Sequence, residues 1–302
     1  MRVCAVIPTF DRRDLLLETL EGLAKQSRPC DAIVVVDNAS TDGSAEAVCT
    51  RYPDVEVLRF EHNSGSAGGF GAGISWALDH GFTWVWLIDN DSIPEPDALA
   101  ELVRAFDRFD DGEKPVLLAS KVVWTDRSIL PLNVPIFKRK ELDTFYLAAA
   151  RSTLSVRAAP YAGVLVSADA VRQSGLPIPE YFLWNDDIEW TGRLLRDAFG
   201  VLVPASVLCH KTPSNPTTTA DAGPRFYFEI RNKLWMCRAS DAYRPMEKVR
   251  FLLTLVVDTT RHLRVTQPHH RALTTMVAGI WAGMSRRPPR PSRITAAAEP
   301  SE

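Results

Sequence analysis

The sequence predicts an α/β protein built on a mostly parallel sheet with helices on both faces. Three observations carry this. Short, continuously apolar runs recur at Val3 to Pro8, Ala32 to Val36 and Trp84 to Ile88, as expected of strands buried on both sides. Stretches of helical period fall between them, as in Leu15, Leu16, Leu20 and Leu23, which is the alternation of a covered parallel sheet. The apolar runs end in Thr9, Asp37 and Asp89 to Asp91, and open α/β sheets bind ligands beyond the carboxyl ends of their strands.

Taken in order, Val3 to Pro8, the leucine helix and Ala32 to Val36 make a strand, helix, strand unit. Val55 to Phe60 reads as the next strand, followed by a glycine-rich turn from Asn63 to Gly73, a helix through Trp76 and Leu78, and the strand Trp84 to Ile88. A helix is expected over Pro94 to Phe109. From Val116 to about Arg157 the pattern loosens and prolines multiply, which predicts an irregular, partly extended segment. Tyr161 to Val166 and Val201 to Pro204 read as strands around a helix starting near Asn185. Pro213 to Gly223 has the composition of a flexible loop. Phe226 to Arg238 and Met246 to Val265 read as helices, and the Pro, Arg and Ala rich tail from Arg286 to Glu302 as disordered.

The totals narrow the function. The chain has 302 residues, 46% of them hydrophobic, and a net charge of -2, which suits one large domain or two unequal ones and removes the whole-chain argument for nucleic acid binding. Its five cysteines form no C-x-x-C pair, so neither a zinc site nor a disulfide framework is indicated, and a reducing cytosol fits best. The opening residues carry no secretory signal pattern. Apolar runs such as Phe251 to Val257 are far short of the about 20 residues a bilayer span needs. The expected location is cytoplasmic, with any membrane attachment peripheral.

Two acidic constellations carry chemistry. In VWLIDNDSIPEP, Asp89 and Asp91 stand on the same side of an extended chain ending a buried strand. Carboxylates in that arrangement suit a hard divalent cation, Mn2+ or Mg2+, that keeps open positions for substrate phosphates. The blander explanation, a helix cap from Asp91 or Ser92, accounts for one acid and not for the other. In WNDDIEW, Asp186, Asp187 and Glu189 crowd the start of a helix between Trp184 and Trp190; capping accounts for one or two of these acids. Three acids beside two tryptophans suit a general base toward a hydroxyl next to an aromatic sugar platform, although a buried tryptophan is the commoner fate of either residue. His210 follows a strand and could complete a metal site or be structural. NSGSAGGFGAG is neither a dinucleotide fingerprint nor a P-loop. Its glycines suit either backbone N–H groups approaching a diphosphate or a tight turn packed on the sheet.

Together these pieces resemble the family 2 glycosyltransferases, inverting enzymes of the GT-A fold. VIPTFDRRDLLLETLEGLAKQS, IVVVDNASTDGS and NSGSAGGFGAGI are similar to that family's nucleotide-sugar half. The resemblance implies that Asp37 contacts the nucleotide, with Thr9 and Arg13 in the same pocket and Asn63, Gly65 and Asn90 beside the donor. It also implies that Asp89 and Asp91 hold the metal gripping the diphosphate, and that Asp187, or Asp186 if the alignment slips by one, is the catalytic base. Trp184, Glu189 and Trp190 are expected to meet substrate. WNDDIEW with His210 and RFYFEIRN looks most like actinobacterial galactofuranosyltransferases and related rhamnosyltransferases of cell-wall assembly, in which a histidine at the matching place joins the metal ligands. Asn90 stands where those galactofuranosyltransferases often carry a third Asp, and their larger accessory regions are missing, so the sugar stays open.

The resemblance and the acids together imply an inverting, metal-dependent transferase that moves a sugar from a nucleotide diphosphate, UDP-galactofuranose or dTDP-rhamnose favoured, to a glycan or lipid-linked acceptor. The expected organisation is a catalytic domain over 1–225, with nucleotide-sugar and acceptor halves over about 1–110 and 111–225, a helical segment over 226–285 and a tail over 286–302. The rivals are a catalytically inactive carbohydrate-binding or scaffold relative, against which the retained acids and His210 speak, and a nucleotidyltransferase, whose basic, glycine-rich opening loop is missing. Residues 244–293 hold ten Lys and Arg against Glu247 and Asp258. This suits either helices on an anionic membrane face or an amphipathic cap packed on the catalytic domain.

Overall fold

A computed structural model describes residues 1–138, 141–212, 222–286 and 290–291. Ten strands run as β1 (Val3–Thr9), β2 (Ala32–Asp37), β3 (Glu56–Arg59), β4 (Trp84–Leu87), β5 (Ser92–Pro94), β6 (Leu117–Val123), β7 (Ile136–Phe137), β8 (Leu154–Ala158), β9 (Val164–Ser167) and β10 (Gly200–His210). The helices are α1 (Arg13–Ala24), α2 (Ser44–Arg51), α3 (Gly65–Asp79), α4 (Ala98–Asp107), α5 (Leu142–Ala150), α6 (Ala168–Ser174), α7 (Asp186–Leu194), α8 (Phe226–Ala239), α9 (Pro245–Val265) and α10 (His269–Ser285). The sheet order is β3-β2-β1-β4-β9-β6-β10-β8-β7, with β5 on β10. β1 to β4 are parallel, and β9 is the antiparallel strand between β4 and β6.

The two-sided apolar runs have the expected cause. Along β1 and β4 the side chains alternate between two cores. Val3, Ala5, Ile7, Trp84 and Trp86 pack with α1, α2 and α4, while Cys4, Val6, Val85 and Leu87 pack with α3, α6 and α7. The larger of these side chains, such as Val6, Ile7 and Leu87, contribute about 1.5–3 kcal/mol each when fully buried, so both cores hold the strand ends, and with them Thr9, Asp37 and Asp89, in fixed positions.

Several expectations need correction. The glycine stretch is not a turn but the first half of α3: a side chain at Gly73 would lie 2.2 Å from a Val6 methyl, so glycine there lets helix and sheet approach. The helix expected from Pro94 starts at Ala98, because Ser92–Pro94 is spent on pairing with β10. The segment read as irregular contains the buried strand β6 and helix α5. The strand read as Val201 to Pro204 continues through a register shift to His210, so the histidine ends a strand. A third C-terminal helix, α10, follows α9. The expected loop at 213–221 and most of the tail, 287–289 and 292–302, lie outside the described residues.

Candidate active site

Antiparallel pairing of β5 with β10 places His210 opposite Ser92, Cys209 opposite Ile93 and Leu208 opposite Pro94. Register thus brings His210 to Asp91, where Nε2 lies 3.4 Å from Oδ1. Asp89, Asp91 and His210 can offer ligand atoms all within 4.8 Å of one another. Nδ1 of His210 lies 2.9 Å from the buried Ser92 hydroxyl, the kind of outer partner that orients a ligating imidazole and would leave Nε2 for a cation. Burial, with the charges of Asp91 and Asp187 added and His210 opposing, pushes the Asp89 carboxyl up to about 7. A buried carboxyl held up in this way beside a second acid is eased by a cation. Two oxygen donors and one imidazole suit Mn2+ or Mg2+, as the sequence implies.

The backbone between the two acids is pinned. The Asn90 carbonyl accepts from the Thr19 hydroxyl at 3.0 Å, and the Asn90 amide donates to Thr9 Oγ1 at 3.0 Å. Arg12 donates to Asp91 Oδ2 at 2.5 Å. Arg13, expected in this pocket, lies instead on the exposed start of α1, with its guanidinium against Asp14 and its backbone N–H on Asp42. Asp37 is buried at the end of β2 and accepts from the Ser40 N–H. Asn63 accepts from the Gly65 N–H at 2.7 Å, and Asn38, which sequence reading missed, accepts from the N–H and hydroxyl of Ser64. Thr9, Asp37, Asn63, Gly65 and Asn90 therefore gather at the ends of β1, β2 and β4 and the start of α3.

The second constellation meets the first at the start of α7. Phe182, Trp184 and Asn185 all have left-handed φ, at 63°, 63° and 60°, a conformation such residues hold only when their surroundings impose it. The imposing group is Asn232 on α8. Fully buried, its side-chain amide donates to the carbonyls of Tyr181, Leu183 and Trp184 at 2.9, 2.9 and 2.7 Å. Arg231 adds bonds to the carbonyls of Glu180 and Tyr181. From the other side, Gly65 has φ +72°, and a side chain on it would lie 2.1 Å from the Phe182 carbonyl oxygen. The RFYFEIRN stretch held the signal for Arg231 and Asn232, but nothing in it named their partners.

Asp187 emerges half-buried, its Oδ1 accepting from the Ile188 N–H at 2.7 Å. Burial, reinforced by Glu229, raises its pKa to about 6. Asp186 is buried, with Oδ2 lacking a hydrogen-bond partner. Burial first, then the Asp187 charge, raise its pKa far above the ordinary value, against a bond from Ser66. Because Asp89 senses Asp187 and Asp186 senses Asp89, the two acidic clusters form one electrostatic site.

Glu189 and Trp190 do not join it. Successive helical residues turn about 100°, so Glu189 lies opposite Asp187. It is buried against Arg193 at 3.1 Å and accepts from Ser240 at 2.8 Å. Trp190 is fully buried; its Nε1 donates to the Gly175 carbonyl and its ring meets Tyr161 edge-on at 5.7 Å. Both tie α7 into the core rather than offering a face to sugar. Trp184 stays half-buried beside Phe226 and Ile230.

A Rossmann-like sheet with an Asp-x-Asp at a central strand end and a second acidic helix start facing it defines a GT-A glycosyltransferase. The chain belongs to glycosyl transferase family 2, whose profile matches residues 4–169. It is 29% identical over 266 residues to the galactofuranosyltransferase GlfT1 of Mycolicibacterium smegmatis, covering 82% of this chain and 88% of that one. Among solved structures, S. aureus TarS 1-349 in complex with UDP-GlcNAc superposes with a TM-score of 0.60 at 16% identity, over 93% of this chain and 81% of that one; against the longer TarS chain the match spans 44%. The mannosyltransferase PcManGT from Pyrobaculum calidifontis, in complex with GDP-Man and Mn2+, superposes with a TM-score of 0.57 at 18% identity, over 94% of this chain and 86% of that one. These two likenesses bear on the fold alone.

Proposed function

We propose that this glycosyltransferase moves a sugar, with inversion, from a nucleotide diphosphate donor to a hydroxyl of a glycan or lipid-linked acceptor. UDP-galactofuranose is the favoured donor and dTDP-rhamnose the runner-up. The observation that carries the reading is the convergence of Asp89, Asp91 and His210 with Asp186 and Asp187. The similarity to a galactofuranosyltransferase supports the choice of donor.

Asp187 is the general base: its carboxyl is raised to about 6, close to working pH, where proton transfer is most effective. It takes the proton from the attacking hydroxyl while the nucleotide diphosphate leaves from the opposite face of the anomeric carbon, which inverts that centre. Asp186 is pressed toward its neutral form by burial and by the Asp187 charge, which favours Asp187 as the ionised member of the pair. Asp89, Asp91 and His210 would hold the divalent cation, which when bound offsets the charge of the leaving diphosphate. Thr9, Asp37, Asn63, Gly65 and Asn90 line the donor side. Trp184 is the tryptophan left to meet donor or acceptor sugar, and Glu189 and Trp190 fix the helix that carries the base.

Thermal shift in Mn2+ tests the donor assignment, comparing UDP, dTDP, GDP and ADP and then the two sugar nucleotides, since a ligand of the native state raises Tm. Metal-dependent stabilisation strongest with UDP and UDP-galactofuranose is expected. Stabilisation by none of them removes the donor assignment and favours the inactive relative.

A further inference from the structure

The last two helices each carry two stripes of opposite fate. On α9 the inward stripe is Glu247, Phe251, Leu255, Asp258 and His262. Glu247 pairs with Arg157 at 2.8 Å, Phe251 packs on Tyr243, Leu255 is buried with Phe226 and Ile230, Asp258 pairs with Lys233 at 3.0 Å, and His262 stacks on Phe226. On α10 the inward stripe is small: side chains at Gly279 and Gly283 would lie 3.0 Å and 2.7 Å from Ile230 and Leu234 of α8. Every position needed to seat these helices is thereby filled.

The opposite faces should then be polar, as on an ordinary surface helix. They are not. α9 exposes Met246, Val249, Leu253, Val256 and Val257, and α10 exposes Leu273, Val277, Ile280, Trp281 and Met284 at helical spacing, with Leu253 63% and Trp281 64% accessible. Runs of bulky apolar residues on adjoining helices differ from the scattered single residues of a normal surface and mark a place of contact.

The charge around this ridge says what the contact is. Between residues 244 and 286, Arg244, Arg250, Arg264, Arg271 and Arg286 are exposed, while both acids, Glu247 and Asp258, are turned inward onto Arg157 and Lys233. A two-fold contact of this face with itself would bring arginine against arginine, with no exposed acid between residues 244 and 286 to offset them. A surface that is apolar below and anionic above matches both features, and among the described residues no helix is long and apolar enough to cross a membrane.

We propose that α9 and α10 dock the enzyme on an anionic lipid surface. Trp281, Leu253 and their neighbours enter the boundary between headgroups and acyl chains, and the flanking arginines meet headgroup phosphates. Flotation is read without substrate or metal, so its test and that of the transfer reaction fail separately.

The experiment is flotation of the full chain with vesicles of phosphatidylcholine alone and of phosphatidylcholine with phosphatidylglycerol, without substrate. It compares wild type, the double variant Leu253→Glu with Trp281→Glu, and the double variant Arg264→Gln with Arg271→Gln. The wild type should float only with the anionic vesicles. Each double variant should lose about tenfold or more in partition, the charge variant mainly at low salt, with the thermal unfolding of all three unchanged because the altered side chains are exposed. Wild type that floats with neither vesicle, or a Leu253→Glu, Trp281→Glu variant that floats as well as wild type, overturns the proposal. Light scattering closes the remaining route: a dimer that the two glutamates dissolve, in a protein that ignores vesicles, assigns the ridge to self-association instead.

Discussion

Asp187→Asn should make the protein more stable at neutral pH while stopping transfer. In the fold the carboxyl titrates at about 6 against an ordinary 3.8, chiefly through burial. At about 1.4 kcal/mol per tenfold change in proton affinity, this places about 3 kcal/mol of strain on the ionised form. Because Asp187 is half-buried, solvent screening reduces the realised figure to about 1–2 kcal/mol. Asparagine keeps the oxygen that accepts from the Ile188 N–H and lifts the charge that bears on Asp186. The sign comes from linkage: a carboxyl whose folded pKa is raised binds its proton more tightly in the native state, so wild type loses stability as pH climbs from 3.8 through about 6. Urea unfolding in EDTA at several pH values should show the two proteins converging near pH 4 and the variant ahead by a constant margin above pH 7. Transfer by the variant should fall by about 10²–10⁴. A gap that does not change with pH, or a wild type more stable than the variant at neutral pH, would refute the electrostatic account.

In wild type, kcat/KM should climb tenfold per pH unit below about 6 and level off above it; a profile flat through that range removes Asp187 as the base. Ser92→Ala strips His210 Nδ1 of its partner and should weaken Mn2+ binding about 10–100-fold, read by calorimetry with Mn2+ alone; unchanged affinity would mean that the imidazole is not a ligand. Asn232→Ala abandons three carbonyls and should cost about 2–3 kcal/mol of stability and lower kcat more than it raises KM, because the base is displaced while the donor pocket is kept; equal loss in both would place the effect elsewhere. Gly65→Ala meets a left-handed φ and the Phe182 carbonyl together and should cost at least about 3 kcal/mol; a Tm within a degree or two of wild type would show that the two segments are not pressed together.

Much of the fold was legible because two-sided burial leaves its mark residue by residue: Val3 to Pro8 and Trp84 to Ile88 are apolar at every position since each face meets a core. Asp89 and Asp91 were legible for the opposite reason, as acids where a buried strand should continue. Features that depend on a distant partner escaped. The pairing of β5 with β10 cannot be read from SIP, so that segment resembled a helix start. The glycines of α3 looked like a turn because nothing local shows that the Val6 side chain will press on Gly73. Glu189 and Trp190 share the motif of Asp187 but lie on the other side of its helix, and only the position of Ser240 and Gly175 shows which side faces inward. Arg12 and Arg13 are adjacent in sequence, and the direction in which α1 leaves β1 decides which of them reaches Asp91.

The pairing of Ser92 with His210 joins residues 118 positions apart, and this dictates an order of birth. At about 5–20 residues per second, a ribosome makes the two acids many seconds before the histidine that completes their triad. The clamp from Asn232 on the turn before Asp187 arrives later still. A nascent chain therefore carries Asp89 and Asp91 well before the strand and the helix that complete and clamp their surroundings, and the site as a whole comes together only when synthesis has passed α8.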